Sequence, residues 1–168
     1  MCLSKTNNMT LTKTLCLSFI YILGGFMQNT HNKFNDLTSY FSTATQIVIY
    51  QQSEKSIFVK GDEKYELLMN ALELICADSH EMPAFSVAED KNTLDALASG
   101  TWLELEFNTT QTYNEMPFDA LLIEVNSEFS GFNLIRKHNG KYDGRCFYLN
   151  LSSNMKHLLD VINQISKK

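Results

Sequence analysis

The chain changes its hydrophobic period several times, and each change marks an element. Gln46–Tyr50 (QIVIY) is a short β-branched run, and Ser56–Lys60 (SIFVK) follows across the polar turn QSEK, so the two predict a hairpin. From Asp62 the period becomes helical. Tyr65, Leu68, Met69, Leu72 and Ile75 fall on one face, with Asp62 at the N-cap position and Glu63 in the first turn. Phe34–Phe41 predicts a shorter helix before the hairpin, and Thr93–Ala98 a turn or two of helix that Gly100 ends. Thr101–Phe107 (TWLELEF) alternates, which puts Leu103, Leu105 and Phe107 on a core face and Trp102, Glu104 and Glu106 on a face expected to be wet. A polar loop, NTTQTYNEMP, is expected before Phe118–Val125, whose apolar content predicts a central strand. Asn139-Gly140 then joins two strands, Phe132–His138 and Arg145–Leu151. Ser152 or Ser153 is expected to cap a last helix with the stripe Met155, Leu158, Leu159, Ile162 and Ile165.

Strand follows strand without regular βαβ alternation, so the fold class is α+β. The expected architecture is an antiparallel sheet of about five to six strands covered on one face by two main helices. With no internal repeat and no linker, residues 30–168 read as a single domain behind a signal-like segment over residues 1–29. In that segment Lys13 precedes an uncharged apolar stretch from Leu15 to Met27, the build of a signal peptide, and the stretch falls short of the roughly 20 residues of a membrane span. Its alternatives are an uncleaved anchor or a buried helix of a cytoplasmic protein. Membrane contact is expected through this segment only. Cys2 and Cys16 lie in or before it, leaving Cys76 and Cys146 either as one disulfide or as two buried thiols.

The order strand, turn, strand, capped helix over Gln46–Ala77 resembles that of small exported domains of unknown function in Gram-positive bacteria. The resemblance spans a fifth of the chain and implies location, not activity.

Composition narrows the partners. At 168 residues, 44% hydrophobic, the chain has material for one core, and a mean hydropathy of -0.18 excludes a protein made mainly of membrane spans. Fourteen basic against nineteen acidic residues give a net charge of -5, which leaves no source for phosphate neutralisation, so no nucleic acid is expected as a partner. The expected partner is another protein or a cell-surface component. No phosphate-binding loop, dinucleotide fingerprint, nucleophile elbow or metal-ligand spacing occurs, so no cofactor and no metal are expected, and no catalytic residue is assigned.

Two constellations remain as binding candidates. Trp102, Glu104 and Glu106 share a strand face, the aromatic-and-carboxylate arrangement a sugar or glycosidic site would use. Arg136 and Arg145 flank Asn139-Gly140. A two-residue turn there would oppose His138 to Lys141, Arg136 to Asp143, Leu134 to Arg145 and Phe132 to Phe147. Both arginines then share a face. Asp143 becomes the acceptor for Arg136, and Arg145 is left for an external carboxylate or oxyanion. His80, His138 and His157 have no visible nucleophile beside them. The leading expectation is an exported, non-enzymatic binding or interaction module. A small acidic intracellular inhibitor or immunity-type protein, and a hydrolase with an unfamiliar site, are the alternatives.

Overall fold

In the computed structural model, which describes residues 37–83 and 86–166, apolar alternation and turn chemistry build an α+β fold. The signal-like segment expected over residues 1–29 lies outside the described residues, as does Phe34. All described residues fall within one compact unit, Asn35–Lys168.

A 3-10 turn (Leu37–Thr43) leads into the hairpin β1 (Gln46–Gln51) and β2 (Glu54–Val59). The helix α1 (Glu63–Cys76) follows, then the short strands β3 (His80–Met82) and β4 (Val87–Ala88) and the helix α2 (Asp90–Ala96). A long hairpin, β5 (Thr101–Tyr113) and β6 (Met116–Glu124), precedes β7 (Gly131–His138), β8 (Lys141–Tyr142), β9 (Gly144–Arg145), β10 (Phe147–Asn150) and the helix α3 (Lys156–Ser166). The main sheet is antiparallel in the order β2-β1-β5-β6-β7-β10-β3, with β8 also on β7, and β4 pairs with β9 apart from it. It is larger than the five to six strands expected because β3 and β8, at three and two residues, are too short to show a period.

One sheet face is the main core. Ile47, Ile49, Leu103, Leu105, Leu121, Ile123, Leu134 and Leu149 pack under the stripe Leu68, Leu72 and Ile75 of α1 and under Leu158 and Ile162 of α3. Burying each such side chain stabilises by roughly 1.5–3 kcal/mol. Tyr65 is buried in this layer and donates its hydroxyl to Ala44 O at 2.6 Å, so its polar tip is satisfied. Asp62 does stand at the N-cap of α1, but its carboxylate accepts from Val59 N–H at 3.2 Å and caps no helical N–H. At α3, Asn154 Oδ1 accepts the Lys156 N–H at 3.1 Å, the part expected of Ser152 or Ser153.

The residues read as a polar loop after Phe107 are strand instead. Thr109 and Thr110 carry β5 through an irregularity between Glu106 and Gln111, Thr112 continues it to a two-residue turn at Asn114-Glu115, and even Pro117 pairs, with Thr112. Threonine favours strands without supplying an apolar period, so the pattern is blind here. The Asn139-Gly140 turn forms as expected, with φ of 52° and 77° and His138 opposite Lys141. Beyond it the register shifts by two: Leu134 opposes Phe147, not Arg145, and Phe132 opposes Leu149. A two-residue shift keeps Phe147 and Leu149 on the core face, where a one-residue slip would turn them out. The excess chain, Asp143–Cys146, loops away and pairs with β4. No helix among the described residues is long and apolar enough to cross a membrane.

Candidate functional site

The second sheet face departs furthest from its pattern. Alternation places Val48, Tyr50, Trp102, Glu104, Leu122, Ile135 and Lys137 here, and β8 adds Tyr142. The face expected to be wet is half covered. α2 lies over it, held where Asp90 Oδ1 accepts the Tyr142 N–H at 2.8 Å, and Leu97, Trp102, Leu122 and Tyr142 form a second, smaller core. Trp102 is buried and donates its indole N–H to Ser99 O at 2.9 Å.

Glu104 is fully buried within this layer. Its Oε2 accepts the Tyr50 hydroxyl at 2.7 Å, and its Oε1 accepts the Tyr142 hydroxyl at 2.9 Å and Lys137 Nζ at 3.0 Å. The ammonium also sits 5.1 Å from the centre of the Tyr142 ring. Burial, reinforced by the neighbouring carboxylate, pushes both tyrosine hydroxyls well above their ordinary range. The buried carboxylate is thus bonded to three side-chain donors, the Lys137 ammonium among them, which suits it to holding the sheet and β8 together. Glu106, two residues on, is half-buried and outside this cluster.

The face stays open on the far side of Trp102. A groove of about 390 Å³ is lined there by Trp102, Ile135, Tyr148 and Phe129, with Glu124 and Glu128 among the wall residues. Phe129 is 47% exposed. Glu124 opposes Trp102 across the β5–β6 pair, so both stand on this face, while Glu128 and Phe129 come from the turn before β7. A second depression of about 310 Å³ shares Trp102, Asn133 and Ile135 with the first and runs beside α2 to Val87 and Cys146.

Arg136 and Arg145 meet differently from the sequence expectation. Arg136 lies on the main-core face opposite Leu121, half-buried, and donates Nε to Arg145 O at 2.7 Å and Nη1 to Pro117 O at 2.8 Å. One carbonyl of the looped-out segment and one of β6 thus take the place expected of Asp143. Burial lowers the Arg136 pKa from its ordinary value, and Asp143 opposes that shift through its charge. Gly144 has φ +88°, which favours glycine, and a Cβ there would stand 2.9 Å from Arg136 Nη2, so a larger residue would also have to displace the guanidinium. Arg145 is exposed and borders a separate depression with Glu81, Glu115 and Phe147.

At the β7–β8 turn, Asp119 accepts from Thr110 Oγ1 at 2.6 Å and from Asn139 N–H at 2.9 Å. Those bonds, the Thr110 one foremost, hold its carboxyl below the usual range. His138 Nδ1 stands 3.2 Å from Asp119 but off the hydrogen-bond line, a pairing by charge that needs a protonated ring. His80 and His157 are exposed. Cys76 and Cys146 are buried thiols not joined to each other, the first at the end of α1 and the second lining the depression beside α2 on the opposite sheet face. Among the described residues no group of His, Cys, Asp and Glu could hold a metal ion. Of the five candidate residues, the fold joins Trp102 and Glu104 to one layer and Arg136 to Arg145 through a carbonyl, and leaves the two sets on different faces. Sequence reasoning missed Tyr50, Lys137 and Tyr142, whose only signal was polar tips at strand positions facing Glu104.

Comparison with protein-family models, with curated proteins and with solved structures finds no match.

Proposed function

We propose that this protein is a non-enzymatic binding module, exported by its N-terminal segment, that takes a partner protein on the open half of the second sheet face. The observation that carries the reading is the groove beside Trp102, lined by an aromatic side chain, Phe129, that is 47% exposed, together with two carboxylates. Exposed aromatics over a pre-formed concavity are the usual anchors of recognition surfaces. The enclosure of Glu104 supports the same reading, because its carboxylate is fully buried and bonded to three side-chain donors, out of reach of a substrate proton. Support for export comes from Lys13 followed by the apolar stretch Leu15 to Met27.

A displayed random-peptide library selected on the full chain tests the binding. Enrichment of sequences that lose binding to Phe129→Ala, with that variant's unfolding midpoint unchanged, is the expected result. Enrichment indifferent to Phe129, or none, overturns the assignment of the groove. Fractionation of the native host tests the location, and recovery in the cytoplasm alone overturns export.

A further inference from the structure

We propose that the groove recognises an arginine side chain presented by an extended segment of the partner protein; the inference rests on the binding reading above and names the chemistry of its ligand. Charge comes first. Glu124 and Glu128 both line the groove, no basic residue lines it, and neither carboxylate has a hydrogen-bond or ion-pair partner among the described residues. Elsewhere on the same face the buried carboxylate has a lysine of its own, Lys137, so the unpaired acids are concentrated where the surface is hollow. Trp102, Phe129 and Tyr148 line the same space, and ring faces beside carboxylates favour a cation that is also flat. Guanidinium meets both demands: it stacks on rings and offers a fork of donors to carboxylates, where an ammonium acts as a strongly hydrated point charge. The chain's net charge of -5 favours approach of a basic partner over longer range.

The shape argues for a segment and not a small cation. The groove does not end at the carboxylates; it shares Trp102, Asn133 and Ile135 with the second depression, which leads to Val87, 71% exposed. An occupant that fills both must be elongated, with its basic side chain at Glu124 and Glu128 and an apolar one against Val87.

Trp102 is the only tryptophan of the chain, so its emission reports on the groove directly. The probes are glycine-serine dodecapeptides carrying one leucine and one arginine at separations of two, four or six residues, and counterparts with citrulline, the neutral isostere of arginine. The full chain is expected to show a saturable change in emission with at least one arginine peptide, and binding about tenfold weaker with its citrulline counterpart. The preference is expected to shrink as salt is raised. It should vanish in the double variant Glu124→Gln, Glu128→Gln, whose unfolding midpoint stays that of the parent. Equal binding of arginine and citrulline peptides overturns the inference and leaves the binding module standing. So does a preference that survives the double substitution. Argininamide binding as tightly as the peptides would mean a small-cation site and overturns the extended segment. If no peptide changes the emission the inference falls, while the library selection decides the broader reading independently.

Discussion

At the scale of residues, two side chains of similar appearance in the sequence carry opposite roles. Arg136 ties β6 to the Asp143–Cys146 loop, and its donors satisfy the carbonyls of Pro117 and Arg145. Arg136→Ala is expected to destabilise by roughly 1–3 kcal/mol, since those carbonyls lose their donors. Arg145 is exposed and lends the structure its backbone oxygen, so Arg145→Ala is expected to stay within about 0.5 kcal/mol of the parent. Urea unfolding of the two variants checks both values, and equal losses would contradict this division. The Glu104 cluster makes a second pair of expectations. Lys137→Met leaves a buried carboxylate without its cation and is expected to destabilise by up to about 3 kcal/mol, moderated because a quarter of the lysine side chain is in water. Adding Glu104→Gln to that variant removes the orphaned charge and should restore part of the loss, as a double-mutant cycle would show.

Among the elements, the long β5–β6 hairpin is the backbone of the sheet, and its turn is its weakest point. Asn114 and Glu115 sit at φ 48° and 63°, a type I′ geometry that prefers Asn-Gly and disfavours a side chain such as glutamate at the second position. Glu115→Gly recreates the pair that stands at Asn139-Gly140 and is expected to stabilise by roughly 0.5–1 kcal/mol, read as a raised urea midpoint. The same element shows how far patterning reaches. Thr101–Phe107 was legible because apolar and polar residues alternate, whereas Asn108–Tyr113 was not, because its neighbours across the strand and not its own period make it a strand. For β8 to β10 the turn register was legible and the two-residue shift was not, since the shift is decided by where Phe147 and Leu149 reach the core.

For the molecule as a whole, pH probes the polar groups with shifted pKa values together. Asp119 has a folded pKa below the unfolded value of about 3.9, so its contribution is complete above that value and is lost as pH falls through the folded one. Tyr50 and Tyr142 have folded values above the unfolded value of about 10. Their contribution is complete below it and is lost as pH rises from there toward the folded values. Urea midpoints are therefore expected to drop on the acid side below about pH 4 and on the alkaline side above about pH 10. Asp119→Asn should flatten the acid limb, and the double variant Tyr50→Phe, Tyr142→Phe the alkaline one. An alkaline limb unchanged in the double variant would mean that the Glu104 cluster does not hold those protons.

The sequence by itself determined the α+β class, the β1–β2 hairpin, the faces of α1 and α3, the core half of β5 and the Asn139-Gly140 turn. All are local: the period of the apolar residues or the φ demanded by a turn is written within about ten neighbouring positions. Only the tertiary structure decided what covers the other side of the sheet. Trp102 and Glu104 have the alternation of a solvated face. They are buried because α2 and β8 pack over them, and β8 arrives from 38 residues away, as the Tyr142–Glu104 bond measures. Whether a polar strand face is wet, closed or hollow depends on chain packed from elsewhere, and here the three occur in turn along one face. Glu104 is sealed with its donors, Glu106 lies half-buried at the margin, and Glu124 borders the groove with no partner of its own among the described residues.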